Sequence, residues 1–180
     1  MDINNKFLDH AYGYDDVSIV PGEFTINPEL ADTKFKIQEL EFDIPVLASA
    51  MDAVVSPEFA INFNSKGGLA VLNLEGIYTK YNDYIEPLES VISAKENEST
   101  SIMQKVYSKD IDENLVAERV KEIKEKSSIC AVSVTPANTK RLSPIAIEAG
   151  ADIIVVQSTV TTPRHFSKSI TGLNMSDLKK

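Results

Sequence analysis

The sequence predicts an α/β fold with about four βα units. Apolar runs recur at residues 45–50, 69–72, 130–134 and 152–156, with helical patterns between them. The runs are continuous rather than alternating, which marks strands covered on both faces, as in parallel sheets. Polar residues gather just after each run, where α/β folds place their reactive groups. Four units are half of an eight-unit (β/α)8 barrel, which in full takes about 250 residues. The chain has 180 residues. An open four-stranded sheet is the rival topology, and periodicity alone does not separate the two.

Residues 1–43 read as an N-terminal arm that packs on the barrel. Val17-Ser18-Ile19-Val20 alternates and stops at Pro21-Gly22, a turn signal. Residues 35–42 read as a further short extended piece. From residue 44 to 180 the text is strand and helix in turn. A helix over 57–65 opens on Ser56-Pro57-Glu58 and closes at Gly67-Gly68. The span 83–94 predicts a helix interrupted near its start by Pro87. Residues 96–100 read as a polar loop tip, with a short helix over 101–107 after it. Glu113–Lys126 is amphipathic, with Leu115, Val116, Val120 and Ile123 on one face. A helix over 139–149 ends at Gly150. Ser176-Asp177 has the chemistry of a helix start four residues before the sequence stops, so the chain reads as a fragment.

Composition excludes several classes. The net charge of −9 opposes nucleic-acid and anionic-membrane partners, which reward clustered Lys and Arg. No run of about 18 apolar residues predicts a membrane span, and the first residues lack signal-peptide architecture. A single cysteine forms no internal disulfide and agrees with a cytoplasmic location. Cys130 lies at the amino end of a buried strand, away from the catalytic rim, and reads as an inert core thiol. His10 and His165 lack partners at metal-ligand spacing, so no metal is expected. There is no P-loop and no Gly-x-Gly-x-x-Gly.

The strand ends supply the candidate site. The first core strand ends in Ser49-Ala50-Met51-Asp52. Asp52 is either a hydrogen-bonding group of a polar site or a cap for the helix near Ser56. Met51 is either core filler or a ligand contact, and Ser49 bonds either a ligand or its own backbone. The second strand ends in Asn73-Leu74-Glu75-Gly76 and the third in Ser133-Val134-Thr135. The fourth ends in Gln157-Ser158-Thr159, an amide and two hydroxyls that suit a cofactor's ribose or amide, or a self-satisfied turn. Arg164 is a phosphate ligand or a solvated loop residue.

Four segments, in order, resemble the IMP dehydrogenase and GMP reductase family. They are Tyr14-Asp15-Asp16-Val17-Ser18-Ile19-Val20-Pro21, Ser49-Ala50-Met51-Asp52, Gly67-Gly68-Leu69-Ala70-Val71-Leu72, and Ala149-Gly150-Ala151-Asp152 with the strand after it. The likeness is to the branch without the paired regulatory CBS domains, since only a few dozen residues separate the second and third strands. It implies the N-terminal half of a TIM barrel, strands one to four, from a purine nucleotide oxidoreductase. The implied activity is oxidation of IMP to XMP with NAD, in GMP biosynthesis. The alternatives are NADPH-dependent GMP reduction and a non-catalytic nucleotide-binding or regulatory half barrel. By resemblance Ser49, Ala50, Met51 and Asp52 bind the purine nucleotide, IMP or GMP, with Asp52 supporting that loop. Gln157, Ser158 and Thr159 lie on the NAD or NADP side.

The chain departs from the family at two corners. Gln157-Ser158 stands for the usual Asp-Ser, and Asn73-Leu74-Glu75 stands for His-His-Asn. It also lacks the Ser-x-Cys-Thr-Thr loop that carries the catalytic cysteine, the glycine-rich phosphate grip, the flap and the potassium site. The expectation is therefore an inactive chain of a parent that is commonly a homotetramer. Its terminal strands would lack partners, which favours self-association.

Overall fold

A computed structural model describes residues 10–158, 164–165 and 173–174. The chain divides into two compact units, with the boundary between Asp32 and Thr33. Among the described residues 10–32 of the first unit, two 3-10 turns, Tyr14–Asp16 and Pro28–Leu30, interrupt otherwise irregular backbone. The Asp16 carboxylate accepts the Gly13 N–H at 2.8 Å and ties off the first turn.

The second unit opens with a hairpin, β1 (Phe35–Ile37) and β2 (Leu40–Phe42), paired antiparallel. The local pattern suggests one extended piece over residues 35–42, and the structure folds it in two. Gln38 turns the chain with φ of 53°, a left-handed conformation that no glycine or asparagine announces. The main sheet comprises β3 (Leu47–Ala48), β4 (Leu69–Asn73), β5 (Ala131–Val134) and β6 (Ile153–Val156). All three pairings are parallel, and the spatial order is the sequence order.

Helices join the strands. They are α1 (Pro57–Asn64), α2 (Ile85–Ile92), α3 (Ser99–Tyr107), α4 (Glu113–Lys126) and α5 (Thr139–Glu148). Ser56 caps α1 by accepting the Phe59 N–H at 3.0 Å, and Asp112 caps α4 through Asn114. Gly67 and Gly150 stop α1 and α5 with φ of 85° and 107°, a region L-residues enter at a cost of about 1–2 kcal/mol. Pro87 does not interrupt α2. It sits in the first turn, where its missing N–H has no intrahelical partner to lose. Ser99 and Thr100 belong to α3 rather than to a loop tip.

Sequential strand order, with the helices of the described residues on one face, separates the rival topologies. Ala70, Leu72, Val132 and Val134 pack with Ala60, Val116, Val120, Ile123, Leu142 and Ala146. Full burial of such side chains supplies about 1.5–3 kcal/mol for each larger one. The opposite face carries Leu69, Val71 and Ala131, closed at its amino end by Phe42 with Ile37 and Leu40 of the hairpin. A doubly wound sheet would place helices on both faces; one helical face and one strand-lined inner face make a barrel wall.

The expectation of strands buried on both faces holds for β4 and β5. It fails for β3 and β6, which are only partly covered. They are the outer strands of the four, and among the described residues each pairs on one side only. Below the sheet, Asn64 at the end of α1 accepts from Ala70 N at 2.9 Å and donates to Ile129 O at 3.0 Å, fixing α1 to the start of two strands. Strands β7 (Arg164–His165) and β8 (Leu173–Asn174) pair with each other. No helix of the described residues is long and apolar enough to cross a membrane.

Candidate functional site

Parallel order puts every strand's carboxyl end on one rim. Residues 49–52 after β3 and residues 157–158 after β6 therefore share that rim, three strand spacings or about 14 Å apart along the sheet. Thr159 lies outside the described residues, as does the loop around Arg164.

Asp52 organises the first corner. Its carboxylate accepts the Ile77 N–H at 2.7 Å, the Tyr107 hydroxyl at 2.7 Å and the Asn73 amide at 3.3 Å. Its backbone carbonyl accepts the Tyr78 hydroxyl at 3.1 Å. The idea that it caps the helix near Ser56 is thus corrected: Ser56 caps α1 itself, and Asp52 caps the 3-10 turn Ile77–Thr79 from across the sheet. Gly76 makes this possible, because a Cβ there would collide with the Asp52 carboxylate. Burial and the Asp52 charge push the Tyr78 hydroxyl up to about 12 and raise that of Tyr107 as well, so both remain donors.

Glu75 organises the second corner. It accepts from the Thr135 N–H and, at 2.7 Å, from the Asn138 amide. It thereby joins the end of β4 to the loop before α5. Asn73 links the corners, donating to Asp52 and accepting the Glu75 N–H at 3.0 Å. Both carboxylates are occupied as braces between loops. The whole run 76–80 is buried, and Arg119 on α4 holds the backbone around it through Tyr78 O at 3.1 Å and Asn82 O at 2.8 Å.

Against this rigid background, other groups face outward. Met51 is 53 % exposed, not core filler. Ser49 is exposed and its carbonyl accepts the Met51 N–H at 2.8 Å, a tight turn that lifts the loop off the strand. Ala50 is half-buried and packs on the inner-face cluster. Gln157 and Ser158 are exposed, with the Gln157 N–H held by Val134 O at 3.0 Å. The Ser133 hydroxyl is buried without a partner among the described residues, one strand from Asn73.

The sequence marks Glu75 and Asn73 as strand-end residues without showing their role, although a carboxylate directly after a buried strand is a usable signal. Tyr107 carries none, since it meets Asp52 across 55 positions.

Cys130 is fully buried, and burial with the neighbouring Asp152 charge raises its thiol to about 12. It should resist thiol-modifying reagents until the chain unfolds. Below the ordinary value of 9 both folded and unfolded states hold the thiol proton. Between 9 and about 12 only the folded state does, so stability falls as pH rises through that window. Denaturant midpoints of the chain and of Cys130→Ala, compared between neutral and alkaline pH, should converge or cross by that increment.

Comparison with known proteins gives consistent matches. A model of the IMP dehydrogenase / GMP reductase domain matches residues 11–176. An uncharacterized oxidoreductase of Mycolicibacterium smegmatis is 34% identical over 169 residues, covering 91% of this chain and 45% of that protein. An inosine-5'-monophosphate dehydrogenase of Streptococcus pyogenes is 31% identical over 105 residues, 58% of this chain and 20% of its own length. The crystal structure of an IMP dehydrogenase/GMP reductase-like protein from Corynebacterium glutamicum superposes with a TM-score of 0.82 at 33% identity, over 91% of this chain and 44% of that one. The chain thus spans less than half the length of the first of these relatives.

Proposed function

Because the chain belongs to the IMP dehydrogenase/GMP reductase family, we propose that its strand-end rim is the N-terminal half of a purine nucleotide oxidoreductase site, of the type that oxidises IMP to XMP with NAD. What supports the reading is one juxtaposition. A braced loop presents Ser49 and an exposed Met51 on the same rim as Gln157 and Ser158. The first pair, with Ala50, takes the purine nucleotide, and Asp52 holds their loop. The second pair, with Thr159, takes the cofactor, whose nicotinamide accepts or gives up the hydride.

The residues fit these roles chemically. An exposed hydroxyl and amide can bond a ribose or carboxamide, while a thioether offers a soft apolar contact to a base. In this reading the parent protein is a cytoplasmic homotetramer. The chain by itself lacks the Ser-x-Cys-Thr-Thr loop, so it binds without turning over. Reductive deamination of GMP with NADPH is the second reading, kept by one observation: neutral Gln157 replaces the family's usual carboxylate at the cofactor corner.

The test is calorimetric titration of the chain with IMP, GMP and inosine. IMP or GMP should bind, and inosine should bind comparably, because the chain lacks the glycine-rich phosphate grip; Met51→Ala and Ser49→Ala should each weaken nucleotide binding about threefold to tenfold, with the fold unchanged by circular dichroism. A folded chain indifferent to every purine nucleotide would sink the proposal.

A further inference from the structure

The connection between β4 and β5 is longer than one helix requires. Before α4 completes the βα unit, the chain inserts α2 and α3 over residues 85–107. This pair is attached to the body of the unit at one end of α3 in particular. Val106 is buried in the main core. Its carbonyl accepts the Tyr81 hydroxyl at 3.0 Å. Just beyond, Lys109 O accepts the Lys80 ammonium at 2.6 Å, while the Lys109 ammonium sits 4.3 Å over the Tyr81 ring. Asp112 N donates to Thr79 O at 2.9 Å. The last turn of α3 is therefore fixed to the post-β4 loop by backbone, side-chain and cation–π contacts.

From that turn Tyr107 reaches the Asp52 carboxylate with a 2.7 Å hydrogen bond. We infer that Tyr107 is a positioning residue for the 49–52 loop: through Asp52, the α2–α3 insertion sets where Ser49 and Met51 stand on the rim. What the loop binds rests on the nucleotide reading, but the positioning itself rests on the contacts of Tyr107 and Asp52. The other donors to the Asp52 carboxylate, Ile77 N and the Asn73 amide, come from the β4 strand and the loop after it. Tyr107 is the one described side chain that brings the insertion to the same carboxylate. A phenol donating to a carboxylate is a charge-assisted bond, about twice as strong as a neutral one. Substitution by phenylalanine removes that hydroxyl and keeps the ring.

The experiment is amide hydrogen exchange on the full chain, with and without Tyr107→Phe, then IMP titration of both. Loss of the hydroxyl should speed exchange of residues 49–55 about threefold to tenfold, leave β4, β5 and α4 amides unchanged, and weaken IMP binding by a similar factor. Unchanged exchange in 49–55, or acceleration spread evenly over the chain, overturns the inference. Should the parent chain ignore IMP, the nucleotide reading fails alone, and the exchange result still decides the positioning role. Tyr107→Leu serves as the second variant. If its exchange in 49–55 rises no further than in Tyr107→Phe, the hydroxyl carries the effect; if only the leucine variant moves the loop, packing does and the inference fails.

Discussion

Replacing Gly76 by alanine should destabilise the chain by about 2–4 kcal/mol, a large effect for one methyl group outside the apolar core. The backbone there is not strained: Gly76 has φ of −91°, which alanine adopts freely. The cost comes from space. An added Cβ would fall inside the Asp52 carboxylate. A flexible carboxylate would simply swing away, but this one is held by Ile77 N, Tyr107 and Asn73. Moving it breaks hydrogen bonds to a charged acceptor, each worth about 1.5–3 kcal/mol, and releases the 3-10 turn it caps.

A double-mutant cycle isolates this cause. Asp52→Ala alone should cost about 2–3 kcal/mol, since partial exposure lets water replace some donors' partner. In that background Gly76→Ala should cost less than about 1 kcal/mol, because the space is vacant. Urea unfolding of the four chains measures the coupling. An equal cost for Gly76→Ala in both backgrounds would show that the carboxylate is not the obstacle.

The sequence made the sheet legible where its strands are inner ones. Continuous apolar runs at β4 and β5 end up covered on both faces, and the amphipathic face of α4 is the face that packs. The helix caps were equally local: Ser56 with Pro57 at one end and Gly67 at the other mark α1 within a few residues. Legibility failed where a structure depends on distant partners. The hairpin turn uses Gln38 in a left-handed conformation, which no local residue predicts, while Phe42 and Leu40 of the hairpin pack on the inner face. Along β3, only Leu47–Ala48 pairs as strand, fewer residues than the apolar run 45–50 suggests.

The candidate site divides the same way. Strand-end positions 49–52 and 157–158 could be read from the pattern, as could their shared rim. The use of Asp52 and Glu75 as braces could not, since their donors lie 21 to 63 positions away. Local reasoning offers a carboxylate near a helix start the role of cap. Here the nearer serine takes that role and frees the carboxylate for a longer-range one.

The largest expected effect on solution behaviour concerns the sheet's outer edges. Among the described residues, β3 and β6 each bond one neighbour, so each leaves a row of backbone donors and acceptors open. Such edges template pairing with other chains unless charge, proline or a covering element blunts them. The outer strand β3 instead carries Leu47, 51 % exposed, next to exposed Val46. The chain alone should therefore show concentration-dependent association in sedimentation velocity. Leu47→Lys should shift it towards monomer, because a lysine on an open edge cannot be buried against another strand without losing its solvation. The same change should leave the thermal midpoint of the monomer nearly unaltered, since a half-exposed leucine has little burial to lose. This pairing of results separates edge association from general instability: a destabilised chain would aggregate more, not less, after losing an apolar side chain. A parent chain that stays monomeric at all concentrations would mean that its edges are already covered, and a Leu47→Lys variant that associates equally would place the contact elsewhere.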